Sequence, residues 1–201
     1  MIARGLTLAM MASGALLIAA PVWSRHAPRF IWNASASLPL GLYRVEPAAG
    51  IAVTDIAIVM PPDELAAFLD ERSYLPIGVP LLKRVLALGG ETVCRSAATI
   101  LAYGAVYGRA RARDTNGRPL PDWQGCRTLR DGEAFLMNWD APDSFDGRYV
   151  GPLPVTSIVG RAVPVWTAGD TDPAPADTSA GFRRAMTVRL PQPQRRTRCP
   201  R

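Results

Sequence analysis

Leu81-Leu82-Lys83-Arg84-Val85-Leu86-Ala87-Leu88 is an apolar run interrupted by one Lys-Arg pair and bounded by Pro80 and Gly89-Gly90. Its length, its branched residues and its Pro and Gly borders read as a β-strand. The chain has 23 basic side chains, and Lys83 is the only lysine among them. A sequence that uses arginine for every other positive charge places a lysine where a guanidinium will not serve. An ammonium can lose its proton, whereas a guanidinium stays charged. In a strand, neighbours of the same parity share a face, so Leu81 and Val85 are the expected direct neighbours of Lys83.

Outward from this strand, Gly and Pro separate further short apolar runs, which is a β pattern. The expected strands are Gly41 to Val45, Ile51 to Met60, Glu91 to Arg95, Thr99 to Tyr107, Glu133 to Asn138 and Ile158 to Trp166. One helix is expected, Pro62 to Arg72, with Pro62, Asp63 and Glu64 in its first turn and Leu65, Ala66, Phe68 and Leu69 as its apolar face. Residues 108–132 are polar and rich in Gly, Pro and Arg, reading as an inserted loop or ribbon. Arg109, Arg111 and Arg113 alternate with alanines there, which on a strand would place all three on one, solvated, face.

The 18 residues from Leu6 to Trp23 are apolar apart from small or weakly polar positions, with Arg4 before them and Arg25 and Arg29 after. That length lies between a membrane span and a signal-peptide core, and residues 1–25 read as an uncleaved anchor because no clean Ala-x-Ala site follows. Trp23 and Trp32 suit a membrane boundary. Residues 168–180 have linker composition, and the tail beyond them is rich in arginine.

With 201 residues, 48% of them hydrophobic, the chain can bury a good core in a body spanning residues 26–167. Its net charge of +6 is misleading. Residues 183–201 carry seven arginines and no acid, leaving 16 basic and 17 acidic groups in residues 1–182. The body is therefore near neutral and no nucleic-acid partner is expected for it; the tail could meet nucleic acid or anionic lipid, or simply keep the chain soluble. Cys94, Cys126 and Cys199, with the single His26, have no metal-binding spacing, so neither a structural zinc nor a cofactor is expected. Cys94 and Cys126 either pair, if the body is extracytoplasmic, or remain two buried thiols. His26 lies next to the N-terminal apolar segment, which excludes a serine-histidine or cysteine-histidine catalyst.

A serine hydroxyl is a poor nucleophile until a base takes its proton, and with histidine excluded Lys83 is the base that neutralises most readily. Working near neutral pH requires its pKa to fall from about 10.4 to about 7 or 8, the regime reached by burial in an apolar pocket. Two further stretches complete the pattern. One is Asn33-Ala34-Ser35-Ala36-Ser37-Leu38-Pro39-Leu40-Gly41-Leu42-Tyr43, just past the apolar segment; the other is Asp143-Ser144-Phe145-Asp146-Gly147-Arg148-Tyr149-Val150-Gly151-Pro152.

The three stretches, in this order and spacing, resemble the type I signal peptidase family and its conjugative-transfer, TraF-type branch, across most of residues 5–166. The resemblance implies a mainly β fold, an antiparallel body with one short helix after an N-terminal transmembrane helix. It implies a membrane-anchored serine endopeptidase with Ser37 as nucleophile and Lys83 as general base. Ser35 corresponds to a hydroxyl donor to the oxyanion hole, Ser144 to a serine that orients the lysine, and Asp146 and Arg148 to a bracing pair. The implied setting is the inner membrane, crossed once, with the catalytic domain in the periplasm and a pilin or other exported precursor as substrate, processed by hydrolysis or by cyclisation. Gly147 stands where the family usually has a serine, Leu38 where general signal peptidases have Met, and Asn138-Trp139-Asp140 departs from the common Gly-Asp-Asn-Arg run. A general leader peptidase and a non-catalytic anchored scaffold of the transfer apparatus are the alternatives.

Overall fold

The computed structural model describes residues 5, 7, 10–16 and 28–168. Residues 10–16 are helical, and among the described residues no helix is long and apolar enough to cross a membrane. Most of the expected anchor, residues 1–25, and the tail beyond Ala168 lie outside the described residues.

The body is built from eleven strands: β1 (Phe30–Asn33), β2 (Gly41–Glu46), β3 (Ile56–Val59), β4 (Leu81–Leu88), β5 (Thr92–Ser96), β6 (Thr99–Ala102), β7 (Ala105–Arg109), β8 (Gly125–Thr128), β9 (Glu133–Leu136), β10 (Leu153–Pro154) and β11 (Ile158–Thr167). Seven form one antiparallel sheet in the order β1-β2-β11-β3-β4-β9-β10, and four form a second in the order β7-β6-β5-β8. The apolar run around Lys83 is β4, between β3 and β9 inside the larger sheet. Its neighbours explain its composition. Tyr43, Ile56, Ile58 and Leu82 form one apolar cluster, and Ala57, Val59, Val85 and Leu136, with Leu81 against them, form another. Leu86 and Ala87 enter a third, with Val93, Ile100, Leu129, Phe135 and Met137, which joins β4 to the second sheet. Each fully buried side chain of this size contributes about 1.5–3 kcal/mol.

Several elements differ from the sequence expectation. The run Thr99–Tyr107 is not one strand but the β6–β7 hairpin, because Tyr103 and Gly104 take positive φ values of 50° and 74° and reverse the chain. The strand expected from Ile51 begins only at Ile56, since the Asp55 carboxylate accepts from the Ala52 amide at 2.9 Å and fixes a turn, with Thr54 at φ 80°. The insertion at 108–132 is not a simple loop. It contains β8 and an isolated bridge between Arg113 and Pro119, and Trp123 packs on the core and donates to the Gly147 carbonyl at 3.1 Å. Of its three alternating arginines only Arg109 lies in a strand, so they do not share one face. A short helix, Gly147–Val150, joins the expected one, which spans Asp63–Glu71.

Cys94 and Cys126 face each other in the β5–β8 register and form a disulfide across a separation of 32 residues. By chain entropy such a closure stabilises by about 2–4 kcal/mol.

The turn from the serine loop into β2 is set by Gly41, which pairs with Thr167 and has φ 154°. A Cβ there would lie 2.1 Å from the Trp166 carbonyl oxygen and 2.7 Å from the Thr167 Cα, both backbone atoms that cannot swing away. Gly41→Ala is therefore expected to destabilise the body by about 1–3 kcal/mol, measured as a shift in the urea unfolding midpoint of the full chain; an unchanged midpoint would show that β11 yields at this contact.

Candidate active site

β1 ends at Asn33 and β2 begins at Gly41, and the seven residues between them carry Ser35 and Ser37. Leu38 is buried in the cluster with Tyr43, which pins the loop at its centre, and the Tyr43 hydroxyl donates to the Pro39 carbonyl at 2.7 Å. The Ser35 and Ser37 hydroxyl oxygens are 2.9 Å apart. Asn33 is buried, and its side chain reaches back over the loop to hold both Ser35 and the loop carbonyls. Nothing in the spacing of Asn33 along the chain signals this role.

Lys83 lies on β4 opposite Ala57, only 5% exposed. Its Nζ donates to the Ser144 hydroxyl at 2.7 Å. Burial pushes the amine down from 10.5 to about 8; the Asp146 carboxylate opposes that shift and the Arg148 guanidinium adds to it. An amine so placed is close to half neutral at the pH where many hydrolases work.

Behind the amine stands a second tier. The Asn138 side chain accepts from the Arg84 amide at 2.8 Å and donates to the Leu82 carbonyl at 3.2 Å. These are the backbone groups on either side of Lys83, so Asn138 extends the β4 ladder past the end of β9. The Asp146 carboxylate accepts from the Asn138 amide at 3.1 Å and from Arg148 Nε and Nη2 at 2.9 and 2.8 Å. Arg148 also donates to the carbonyls of Asn138, Ala141, Pro142 and Ser144. The side chains of this pair are 1% and 0% exposed, so it is an interior brace and not a surface ion pair. Gly147 has no room for a hydroxyl: a Cβ would lie 2.7 Å from the Leu136 carbonyl oxygen and 2.9 Å from the Phe135 ring.

Ser35, Ser37, Lys83 and Ser144 line one cavity of about 830 Å³. Leu75, Val79 and Leu120 give it apolar walls. Phe145 stacks on Tyr149 and on Phe68 of the helix, and Tyr74 packs against Phe145. The insertion closes another side, since Tyr74 donates to Asp114 and the Tyr149 hydroxyl accepts from the Arg111 amide. Asp146 and Arg148 sit behind the lining, not in it. Ser37 and Lys83 share the cavity without a direct hydrogen bond, the Ser37 hydroxyl being bonded to Ser35 and the amine to Ser144. Among the described residues, no group of three or more His, Cys, Asp or Glu side chains is placed to hold a metal ion.

Residues 2–167 match the family model described as signal peptidase, peptidase S26. A conjugal transfer protein TraF from Agrobacterium fabrum is 35% identical over 146 residues, covering 67% of this chain and 81% of the relative. A plasmid transfer protein TraF from Escherichia coli is 33% identical over 178 residues, covering 82% of this chain and 96% of its own. A crystal structure of a signal peptidase I from Enterococcus faecalis V583 aligns with 55% of this chain and 95% of its own at 21% identity, with a TM-score of 0.33, a weak likeness.

Two stability effects follow from the buried charges. Removing Asp146 leaves the Arg148 guanidinium buried without its counter-charge, so Asp146→Ala is expected to cost about 3–5 kcal/mol in denaturant unfolding; a cost under about 1 kcal/mol would show that the brace is dispensable. Lys83 has a folded pKa below its unfolded one, so the folded state resists the charged form. That penalty is full below about pH 8 and fades as pH rises toward 10.5. Lys83→Met should accordingly raise the unfolding midpoint at pH 7, with the gain shrinking by pH 10; a gain independent of pH would show that the amine carries no burial penalty.

Proposed function

The chain belongs to the signal peptidase family, peptidase S26, and from that premise we propose that it is a membrane-anchored serine endopeptidase in which Ser37 attacks and Lys83 is the general base. The observation that carries this reading is a single buried amine, brought to about 8 by desolvation and held by Ser144, on the same cavity as the Ser35–Ser37 loop.

Neutral Lys83 takes the proton from the Ser37 hydroxyl as its oxygen adds to the scissile carbonyl. The hydrogen bond between them forms when a bound substrate draws Ser37 away from Ser35, since catalytic contacts often tighten only on binding. The carbonyl oxygen gains the negative charge, and the Ser35 hydroxyl donates to it. One such donor is worth roughly 10²- to 10³-fold in rate. The Lys83 ammonium, its orientation held by Ser144, then returns the proton to the departing amine as the peptide bond breaks. An ester to Ser37 remains, to be resolved by water or by an amine of the substrate itself.

The curated relatives are named for conjugal and plasmid transfer, and this supports a pilin precursor exported by a conjugative type IV secretion system as substrate. The apolar walls of the cavity suit an extended peptide. The Cys94–Cys126 disulfide belongs to an oxidising compartment. With the apolar run Leu6 to Trp23, it supports a single-pass inner-membrane protein whose body lies in the periplasm.

Co-expression of the full chain with a pilin precursor tests the reading. Ser37→Ala and Lys83→Arg are each expected to reduce processing by at least about 10³-fold with the fold intact. Lys83→Arg keeps the charge but cannot accept a proton, so normal processing by that variant would sink the serine-lysine pair. For the wild-type chain, kcat/KM should rise with pH through an inflection near 8, where Lys83 becomes neutral. Mass spectrometry of the product separates the two fates of the ester, because a cyclic product is one water lighter than the linear cleaved chain.

A further inference from the structure

The hydrogen bonds around Asn33 fix the direction of the protons on the two loop hydroxyls. Asn33 Nδ2 lies 3.0 Å from each of the carbonyl oxygens of Ser35, Leu38 and Pro39. Its Oδ1 lies 3.2 Å from the Ser35 amide nitrogen and 3.1 Å from the Ser35 hydroxyl. Carbonyl oxygens only accept, and the Ser35 N–H only donates. The reversed amide would set oxygen against three oxygens and NH₂ against an N–H, so the orientation is determined by its partners and does not need to be assumed. With Oδ1 facing it, the Ser35 hydroxyl has to donate to Asn33. A hydroxyl has one proton. The 2.9 Å Ser35–Ser37 contact, open in direction on its own, is therefore one in which Ser37 donates and Ser35 accepts.

We infer that Asn33 is a positioning residue for the cleavage reaction: it holds the Ser35 proton in reserve for the developing oxyanion and keeps that proton off the Ser37 oxygen. The inference rests on the serine-lysine reading above.

Three consequences follow from this arrangement. The lone pairs of Ser37 are not weakened by a donor, because the nearest hydroxyl proton is committed elsewhere. The Ser37 hydroxyl donates to Ser35 at rest and gives its proton to Lys83 once substrate is present. The substrate carbonyl oxygen, as it becomes negative, competes with a neutral amide oxygen for the Ser35 proton and wins, since a hydrogen bond to a charged acceptor is roughly twice as strong as one between neutral groups. Asn33 Oδ1 keeps the Ser35 amide after the hydroxyl has turned away, so the backbone beneath the moving proton does not shift. The three carbonyl contacts hold the loop on both sides of Ser37, at Ser35 and at Leu38-Pro39. A single buried side chain thus orients the donor and braces the loop that carries the nucleophile.

The test is a double-mutant cycle on the detergent-solubilised full chain, with a purified pilin precursor as substrate and kcat and KM measured separately. Ser35→Ala in the otherwise wild-type chain is expected to lower kcat about 10²- to 10³-fold. In an Asn33→Ala background the Ser35 hydroxyl is no longer held for the oxyanion, and the same Ser35→Ala change is expected to cost less than about 10-fold. A role confined to bracing the loop would slow both members of each pair alike and leave the Ser35→Ala cost unchanged. That equality would overturn the inference. Unfolding of each variant is checked by thermal melting, and if Asn33→Ala does not fold the cycle is run on Asn33→Val, whose branched side chain suits a strand end and offers no acceptor. Failure of both to fold would also overturn it, by making Asn33 a residue of the fold. If Ser37→Ala still cleaves, the serine-lysine reading itself fails. If Ser37→Ala is dead and the Ser35→Ala cost is equal in both backgrounds, only the Asn33 inference fails.

Discussion

An amine removed from water inside a β-sheet is the constraint around which the rest of this molecule is arranged. Desolvation is the largest cause that brings Lys83 to about 8, with Arg148 adding to it and Asp146 opposing it, and desolvation requires that both faces of β4 be covered. That is why the strand is apolar nearly throughout, why it lies between β3 and β9, and why clusters pack on Leu82 and on Val85. The same burial destabilises the body whenever the amine is charged. The apolar contacts along β4 offset that cost.

Burial favours the neutral amine; hydrogen bonds orient it. Ser144 holds the Lys83 nitrogen, Asn138 fixes the backbone on either side of it, and Asp146 and Arg148 fix Asn138 and the segment bearing Ser144. Asn33 performs the corresponding task for the serine loop. Each of these side chains is therefore held through an Asn or a carboxylate whose own partners are mostly backbone atoms. Such partners move only when the chain moves, which keeps the constellation in place.

Much of this was legible in the sequence because it involves residue types with few uses. A lone lysine among arginines, a Ser-x-Ser loop after an apolar segment, and Ser144 before an Asp-x-Arg stretch each restrict the chemistry. Strand β4 has the same bounds in the sequence and in the structure. Asn33 and Asn138 were not legible. A lone asparagine next to a turn has many local uses, and nothing along the chain distinguishes one that bridges three carbonyls from one that faces water. The β6–β7 turn was hidden for a related reason: Tyr103-Gly104 interrupts an otherwise unbroken apolar run by one glycine. The insertion looked polar because its apolar anchors, Trp123 and Leu129, are single residues whose partners include Phe135 and residues of β4 to β6. Whether Cys94 and Cys126 pair was undecidable by spacing, since it depends on the β5–β8 register.

The Arg148 guanidinium donates to carbonyls at four points of the stretch from Asn138 to Ser144, a segment without helix or strand of its own. One side chain there replaces the backbone ladder that a regular element would supply. Opening that segment alone means freeing four carbonyls from Arg148 and the Asn138 amide from Asp146 in the same event, so it does not fray in small steps as surface loops do. The amides of Asn138, Ala141 and Ser144, which are themselves hydrogen-bonded, should then exchange slowly, and the hydroxyl that holds the amine is kept in place with them.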